Sequence, residues 1–341
     1  MINLYSDTQT KPTAEMRKFM AAAEVGDEQQ KLDPSVNLLC ETSAKLLGKQ
    51  AALFLPSGVM CNLISILSQC HMGDELIAAD NSHVIMMEAG GLALGQVSSQ
   101  TIDEPSGIFT VADIEHCVAK RGRGAHSTIP KMLVIENTHN FGGGVAWTME
   151  QLNPVTQYAK SQNMKLHMDG ARLLNASAAT GISPAQYAKE FDSVWFDLSK
   201  GLGCPVGAVL TGSQEFIDQA WVWKTRLGGA MRQAGIIASA GLYALEHHVD
   251  NLKQDHINAK NLGIALNDID NISVNLDNLH TNIIIIDVAQ TGQNSLEICK
   301  KLKAQNVSMV ALSDTEIRAV THLDVSADEC AQAAEIFANV I

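Results

Sequence analysis

The sequence predicts an α/β protein in which a large domain with a mostly parallel β-sheet precedes a small C-terminal α+β domain. Short apolar runs alternate with helical segments between residues 51 and 212, which is typical of parallel strands joined by crossover helices. Later segments become helical and then mix strands with helices. The length of 341 residues also exceeds what one hydrophobic core usually holds. We therefore expect a large domain at 1–248, with an N-terminal arm at 1–15, and a small domain at 249–341.

The composition excludes several classes of function. The formal net charge is −13 and Lys and Arg form no long run, which argues against nucleic-acid binding. No apolar run approaches the ~18 residues of a membrane span, and the N-terminus does not read as a signal peptide. The seven cysteines are scattered without a CxxC pair, as expected of reduced thiols. We expect a cytoplasmic protein that binds neither nucleic acid nor membrane.

Two helix starts stand out in the first part of the chain. Asp33-Pro34 closes the loop VGDEQQKLDPSVN and predicts a helix from Ser35, because proline fits the first turn after an aspartate cap. A strand at 51–55 leads into Pro-Ser-Gly and the helix VMCNLISILSQC. Such a turn leaves backbone N–H groups free at a helix N-terminus, where an anion can bind. It matches neither a P-loop nor GxGxxG, so nucleotide binding is weakly supported. We interpret the turn as a phosphate site.

The rest of the chain supplies the other elements. We predict a basic turn, RGRGAH, at 121–126, and one long helix over 241–266 that leaves the large domain. Further strands of the large sheet are predicted at 75–80, 131–137, 166–169, 193–198 and 207–212. The C-terminal domain is predicted to contain strands at 282–288 and 307–310 and helices at 294–305 and 327–339.

An acid and a lysine follow two consecutive strands of the predicted sheet. Asp169 ends the strand at 166–169, and Lys200 follows the strand at 193–198 in a Ser-Lys-Gly turn. Consecutive parallel strands are usually neighbours, so both residues should emerge at the carboxyl edge where α/β folds bind ligands. An acid that holds a protonated pyridine nitrogen, facing a lysine that forms an imine, is what pyridoxal phosphate (PLP) requires of a protein.

Several blocks of sequence, taken together and in order, resemble the L-threonine aldolase (β-eliminating lyase) family. They are SDTQTKPT, VGDE with DPSVN, FLPSG, ENTHN, HMDGAR, LSKGLGCPVG, MRQAG and RAVTHLDVS. The resemblance runs almost end to end. It implies fold type I of the PLP-dependent enzymes, the aspartate aminotransferase fold. It also implies a homo-oligomer with shared active sites, a dimer at minimum and a tetramer by resemblance.

The resemblance also implies roles for individual residues toward PLP. Lys200 would form the imine, Asp169 would pair with the pyridine nitrogen, and His83 would stack over the ring. Arg232 would reach the phosphate from a neighbouring subunit. The complete set of residues expected to bind the cofactor is Ser57, Gly58, Val59, His83, Asp169, Arg172, Ser199, Lys200 and Arg232.

For the substrate, the resemblance implies cleavage of L-threonine or L-allo-threonine to glycine and an aldehyde by breaking the Cα–Cβ bond. Arg172 and Arg318, with Ser6, would bind the α-carboxylate, since arginine binds carboxylates bidentately. His83, or a water held by His83 and His126, would remove the β-hydroxyl proton. We interpret Glu136 and His139 as structural, and nothing in the sequence demands a metal.

Departures from the family pattern leave the substrate open. Val59 stands where the family usually has threonine, and Gln30 and Lys31 stand where it commonly has tyrosine and glycine. We hypothesise a shift toward a polar or anionic β-hydroxy amino acid such as 3-hydroxyaspartate. The alternatives are another PLP enzyme (a racemase, β-lyase or transaminase), a non-catalytic PLP-binding protein, and a nicotinamide-dependent enzyme.

Overall fold

The computed structural model describes residues 1–119 and 126–341. Its strands are β1 (Ile2–Asn3), β2 (Ala51–Leu55), β3 (Asp74–Ala79), β4 (Ser98–Ile102), β5 (Ile129–Glu136), β6 (Lys165–Gly170), β7 (Ser193–Asp197), β8 (Ala208–Gly212), β9 (Ser273–Val274), β10 (Ile283–Asp287), β11 (Val307–Ser308), β12 (Val310–Ala311) and β13 (Glu316–Val320). Its α-helices are α1 (Ala14–Ala21), α2 (Pro34–Leu46), α3 (Gly58–Gln69), α4 (His83–Met86), α5 (Val111–Ala119), α6 (Met149–Ser161), α7 (Leu173–Thr180), α8 (Pro184–Ala188), α9 (Gln214–Arg226), α10 (Gly235–His247), α11 (Leu252–Asn267), α12 (Ser295–Ala304) and α13 (Ala327–Val340).

A seven-stranded sheet with the order β2-β8-β7-β6-β5-β3-β4 lies at the centre of the molecule. Strands β3 to β7 are parallel, whereas β8 runs antiparallel to both β7 and β2. The predicted mostly parallel sheet is confirmed. At the carboxyl edge, Asp169 is in register with Glu136 on one side and with Trp195 on the other. This edge is where open α/β sheets bind ligands.

Helices cover both faces of this sheet. Leu166 and Met168 of β6 belong to the largest core, whereas Trp195 of β7 packs on the opposite face with residues of α3. Alternate residues of a strand point to opposite faces, so His167 and Asp169 project toward α3. The polar residues of β6 thus meet a helix whose first turn lies at the same edge of the sheet.

A second core lies in the C-terminal part, where a four-stranded antiparallel sheet has the order β12-β13-β10-β9. The first residues of the chain also pack in this core: β1 pairs in parallel with β11, and Ile2 and Leu4 are buried there. The N-terminal arm therefore runs from the C-terminal core toward the large sheet.

The two predicted helix starts are present. Asp33 accepts a hydrogen bond from the Val36 amide at the start of α2, and Ser57 accepts one from the Met60 amide at the start of α3. Both caps satisfy amide groups that the first helical turn leaves without a partner.

The long helix predicted over 241–266 is wrong, because the chain turns between α10 and α11 at residues 248–251. The His248 ring donates a hydrogen bond from Nδ1 to the Leu202 carbonyl oxygen at 2.7 Å, which fixes the turn beside the loop after β7. The predicted basic turn at 121–126 lies outside the described residues except for His126. Among residues 1–119 and 126–341, no helix combines the length and apolar character needed to cross a lipid bilayer.

Candidate active site

Asp169 lies at the end of β6 and is buried. Its Oδ2 accepts a hydrogen bond from Asn62 Nδ2 at 2.8 Å, and its Oδ1 accepts one from the Ala171 amide at 3.1 Å. Burial, and then the charge of the nearby Glu136 carboxylate, raise the pKa of Asp169 to about 7 in spite of the Asn62 hydrogen bond. Gly170 lets β6 end close against β7, since a Cβ there would lie 2.2 Å from the Trp195 carbonyl oxygen.

His83 opens α4 just beyond the carboxyl end of β3. Its backbone amide donates to Glu136 Oε2 at 2.8 Å, and its Nδ1 lies 3.0 Å from Glu88 Oε1. Burial alone would lower the pKa of His83, but the Glu88 hydrogen bond and the Asp169 charge outweigh burial and raise it above its usual value. The ligand atoms of His83, Glu88 and Asp169 all lie within 4.8 Å of one another. An imidazole and two carboxylates therefore converge at this edge of the sheet.

Lys200 follows β7 in a turn built by Asp197. The Ser199 amide and hydroxyl both donate to Asp197 Oδ1 at 2.8 Å, and Lys200 Nζ lies 3.2 Å from Asp197 Oδ2. The Thr10 hydroxyl donates to the Lys200 carbonyl oxygen at 2.8 Å, so the N-terminal arm fixes the backbone of the same turn. The ammonium also lies 5.9 Å from the centre of the Trp195 ring. Lys200 is thereby brought to the edge that holds Asp169.

Arg172, just after β6, makes a buried bidentate ion pair with Asp7 of the arm. Nε and Nη2 donate to the two Asp7 carboxylate oxygens at 2.7 and 2.6 Å. Asn282 Nδ2 donates to the same carboxylate at 3.1 Å. Burial alone would raise the pKa of Asp7, but the Arg172 guanidinium outweighs burial and holds it well below its usual range. Asp7 therefore fixes the orientation of Arg172.

Arg318 on β13 turns toward the same place. Its Nη1 donates to Asn140 Oδ1 at 3.1 Å, and Arg172 Nη1 donates to the same oxygen at 3.3 Å. Arg318 Nε is buried and has no hydrogen-bond partner among the described residues. Burial, and then the charge of Arg172, lower the pKa of Arg318. Two guanidiniums that converge on one amide oxygen, with the Arg318 Nε–H group left over, are able to bind a carboxylate.

The start of α3 borders the same site, beside β7. A Cβ on Gly58 would lie 2.2 Å from Trp195 Cη2, so only glycine allows the helix to begin this close to β7. Val59 is 41% exposed. The Ser57 oxygen accepts from the Met60 amide, which leaves its own hydroxyl hydrogen able to donate. The Ser199 hydroxyl, in contrast, donates to Asp197.

The remaining predicted site residues are Ser6, Arg232 and His126. Ser6 is buried beside the Asp7–Arg172 ion pair: its hydroxyl donates to Asp7 Oδ1 at 3.5 Å, and its oxygen accepts hydrogen bonds from the amide and hydroxyl of Thr8. The Arg232 side chain is 62% exposed and pairs with Asp27 at 3.0 Å. His126 is exposed and precedes the amino end of β5. That end of the strand is opposite to Asp169, so the chain's own site does not include His126.

Several residues at this site were not predicted from the sequence. Asn62, Glu88, Asn140 and Asp197 hold Asp169, His83, the two arginines and Lys200, respectively. Asn140 belongs to the ENTHN block, so the motif could have indicated it. Glu136, interpreted as structural, does anchor the His83 and Asn140 amides through its two oxygens.

The fold thus brings a lysine, a buried acid and two arginines to one edge of an α/β sheet. The β-eliminating lyase family model matches residues 3–290. The chain is 38% identical to the low-specificity L-threonine aldolase of Escherichia coli K12 over 335 residues, covering 98% of this chain and 97% of that protein. It is 38% identical to low-specificity L-threonine aldolase 1 of Arabidopsis thaliana over 332 residues, covering 96% and 93%.

The solved structure of Leishmania major threonine aldolase superimposes with a TM-score of 0.84, at 19% identity, and each chain is covered completely. The chain therefore belongs to the β-eliminating lyase family, and both the family and the fold type I architecture predicted from the sequence are confirmed.

Proposed function

We propose that this protein is a PLP-dependent aldolase that cleaves L-threonine or L-allo-threonine to glycine and acetaldehyde. The observation that carries the proposal is the convergence of Arg172 and Arg318 on Asn140, at the edge that holds Lys200 and Asp169. Relatives at 38% identity over almost the whole chain are threonine aldolases, which supports the same reaction.

The residues present fit PLP. Lys200 offers a primary amine, Asp169 a buried carboxylate, and the glycine start of α3 a row of backbone N–H groups for a phosphate. Ser57 would add a hydroxyl donor. The bound cofactor would supply a cationic ring that accepts the electron pair released from the substrate. We assign His83 and Asp169 to this ring, with Glu88 holding His83 and Asn62 holding Asp169 through hydrogen bonds.

The two arginines would bind and orient the amino acid. Arg172 is held rigidly by Asp7, whereas Arg318 has a buried N–H group without a partner among the described residues. A carboxylate that accepts from both guanidiniums would displace the Asn140 contact and satisfy the Arg318 donor. Holding the carboxylate in this way restricts rotation about Cα, so that the Cα–Cβ bond can be presented for cleavage.

His83 would take the proton from the β-hydroxyl group. Its Nδ1 faces Glu88, which leaves Nε2 for the substrate, and its backbone is fixed by Glu136. Because the pKa of His83 is raised, the neutral, proton-accepting form needs a higher pH than it does for an ordinary histidine. We therefore expect cleavage to accelerate as the pH rises through this raised pKa.

We also propose a cytoplasmic homo-oligomer, at least a dimer and by resemblance a tetramer, in which subunits share sites. The Arg232 side chain is exposed and paired with Asp27, and His126 is exposed at the amino edge of the sheet. For either to act at an active site, a second copy of the chain would have to receive it. Mixing the variants Lys200→Ala and Arg232→Ala tests this. With shared sites, randomly formed dimers regain about a quarter of the wild-type sites. With unshared sites, the mixture stays as inactive as its parts.

The main test is a spectrum of the purified protein with added PLP, followed by assays of glycine and acetaldehyde after L-threonine or L-allo-threonine. After unbound PLP has been removed, we expect visible absorbance that stays with the protein, that Lys200→Ala abolishes and that Lys253→Ala, at an exposed lysine elsewhere, retains. Release of glycine from either substrate supports the aldolase. Formation of the opposite enantiomer would instead identify a racemase, 2-oxobutanoate with ammonia a β-lyase, and a keto acid formed without ammonia a transaminase. Absence of protein-bound absorbance would overturn the cofactor.

The preference for a polar substrate stays a prediction. Gln30 and Lys31 are both exposed in the loop that departs from the family pattern. Side-by-side assays of L-threonine and 3-hydroxyaspartate decide it, because equal or faster cleavage of threonine contradicts the hypothesis.

A further inference from the structure

We propose that Asn62 is a positioning residue that favours the ionised form of Asp169 and aligns it toward the cofactor ring, and that Trp195 fixes the orientation of Asn62. The inference rests on the proposed function, since it concerns the acid that would hold the ring nitrogen, but it does not depend on the substrate. It begins from one buried amide on the inner face of α3 that hydrogen-bonds to Trp195, His167, Glu88 and Asp169.

The orientation of the Asn62 amide is determined by its neighbours. The indole N–H of Trp195 donates to Asn62 Oδ1 at 2.6 Å. An indole nitrogen can only donate, so this atom of Asn62 must be the oxygen. The NH₂ group therefore faces the other way, toward the two carboxylates.

His167 completes the support of the same oxygen. Its Nε2 lies 2.9 Å from Asn62 Oδ1 and must donate, so Nδ1 of the neutral ring accepts from the Ser193 hydroxyl at 2.8 Å. Gln69 Nε2 in turn donates to Ser193 Oγ at 2.8 Å. Burial lowers the pKa of His167 to about 3, in agreement with a neutral ring. The donors thus follow one direction, from Gln69 through Ser193 and His167 to Asn62.

Both hydrogens of the Asn62 amide are used on the site. One donates to Asp169 Oδ2 at 2.8 Å, and the other to Glu88 Oε1 at 2.6 Å. Every donor and acceptor position of Asn62 is therefore filled. A neutral donor placed between two buried carboxyl groups keeps them apart, and its hydrogen bond favours the charged form of Asp169.

Asp169 needs this support because its surroundings oppose its charge. The charged and titratable groups that act on it are Glu136 of β5, His83 of α4, Lys200 after β7, and Glu88 and Cys61 nearby. Burial and Glu136 favour the protonated carboxyl, whereas Asn62 favours the carboxylate. An ionised Asp169 is the form that can hold a proton on a pyridine nitrogen.

Trp195 contacts Asn62, the start of α3 and Lys200. Its ring packs against Gly58 at the start of α3 and lies 5.9 Å from Lys200 Nζ, while its N–H group holds Asn62. The variant Trp195→Phe removes the N–H group and keeps an aromatic side chain, but its smaller ring also loses part of the contact with Gly58. The pH dependence of PLP binding separates the two effects, because only the lost hydrogen bond acts on the protonation of Asp169.

The test is the dissociation constant of PLP for the apoenzyme, measured from pH 6 to 9 by its absorbance change, with the unfolding temperature of each apoprotein. We expect Asn62→Leu to weaken PLP binding about 10- to 100-fold, and more strongly at low pH, because Asp169 is then protonated more easily. Trp195→Phe should weaken binding about 3- to 10-fold, since His167 still holds Asn62. Ser65→Ala, a buried control on the same helix whose hydroxyl donates to the Cys61 carbonyl oxygen, should change it by less than about twofold.

Asn62→Asp gives the opposite pH dependence. At high pH a third carboxylate lies beside Asp169 and Glu88, and PLP binding weakens; at low pH the new carboxyl group is protonated, donates again, and binding recovers. The inference is overturned if folded Asn62→Leu and Trp195→Phe bind PLP as Ser65→Ala does, with the same pH dependence. If Asn62→Leu does not fold, Trp195→Phe and Asn62→Asp decide. Failure of wild-type protein to bind PLP would overturn the proposed function instead.

Discussion

Replacing Asp7 with asparagine tests whether the arm orients Arg172. Asparagine has nearly the size of aspartate but no charge, and its NH₂ group cannot accept from the guanidinium. The variant leaves Arg172 buried with a single short hydrogen bond to residue 7 and with its charge uncompensated. Removing one partner of a buried ion pair costs about 3–5 kcal/mol. We expect the free energy of unfolding to fall by about 3 kcal/mol, near the lower end of this range, because the amide oxygen of the variant and Asn140 still accept from Arg172.

The pH dependence sharpens this prediction. The folded-state pKa of Asp7 is lowered, so its contribution to stability is complete above the ordinary aspartate range and is lost as the pH falls through the folded-state pKa. The difference in unfolding free energy between wild type and Asp7→Asn should therefore be constant near neutral pH and shrink in acid.

The measurement is urea unfolding of the apoprotein at several pH values, with KM for L-threonine in the loaded enzyme. We expect KM to rise about 10-fold or more, because the carboxylate site loses a fixed arginine. Asp324→Asn is the control, since Asp324 is an exposed carboxylate that bonds to the same arm at the Lys11 amide. A loss of stability below about 1 kcal/mol with an unchanged KM would refute the argument.

Three further predictions concern single side chains. Lys31 has a left-handed backbone with φ of 58°, so Lys31→Gly should stabilise the protein by about 0.5–1 kcal/mol in urea unfolding, and a loss of stability would contradict this. Burial and the Asp7 charge raise the pKa of Asp255 to about 7, so the free energy of unfolding falls as the pH rises from about 4 to 7. Asp255→Asn should flatten this decline and raise the free energy of unfolding by about 2 kcal/mol at pH 8 in urea unfolding. Arg318→Leu should raise KM for the amino acid about 10- to 100-fold with little loss of apoprotein stability, and an unchanged KM would remove Arg318 from the carboxylate site.

Local chemistry made much of the fold predictable. The caps at Asp33 and Ser57 act within three residues, so a short stretch of sequence contains both partners. The placement of Asp169 and Lys200 at one edge follows from a general rule about consecutive parallel strands. The break at residues 248–251 was not predictable in this way, because a hydrogen bond to the distant Leu202 carbonyl accompanies it.

The residues that support the site were harder to predict. Asn62 lies 107 positions from Asp169, and Asp7 lies 165 positions from Arg172. An asparagine in an apolar helix indicates no chemistry until its neighbours are known. His126 differs, because it precedes a predicted parallel strand. That position alone places it at the amino edge, opposite to the site, and a function at another subunit's site is the prediction that remains.

The two ends of the chain explain why the carboxylate site depends on the whole molecule. Ile2 and Leu4 pack in the C-terminal core, and a few residues later Asp7 holds Arg172 and Thr10 holds the Lys200 turn. Arg318 comes from a strand of that same core. Each guanidinium is thus positioned by a segment anchored in the C-terminal core, while Asp169 and Lys200 are positioned by the large sheet. The distance between the carboxylate site and Lys200 is therefore set by how the two cores pack, and substitutions in the C-terminal core should alter KM without contacting the substrate.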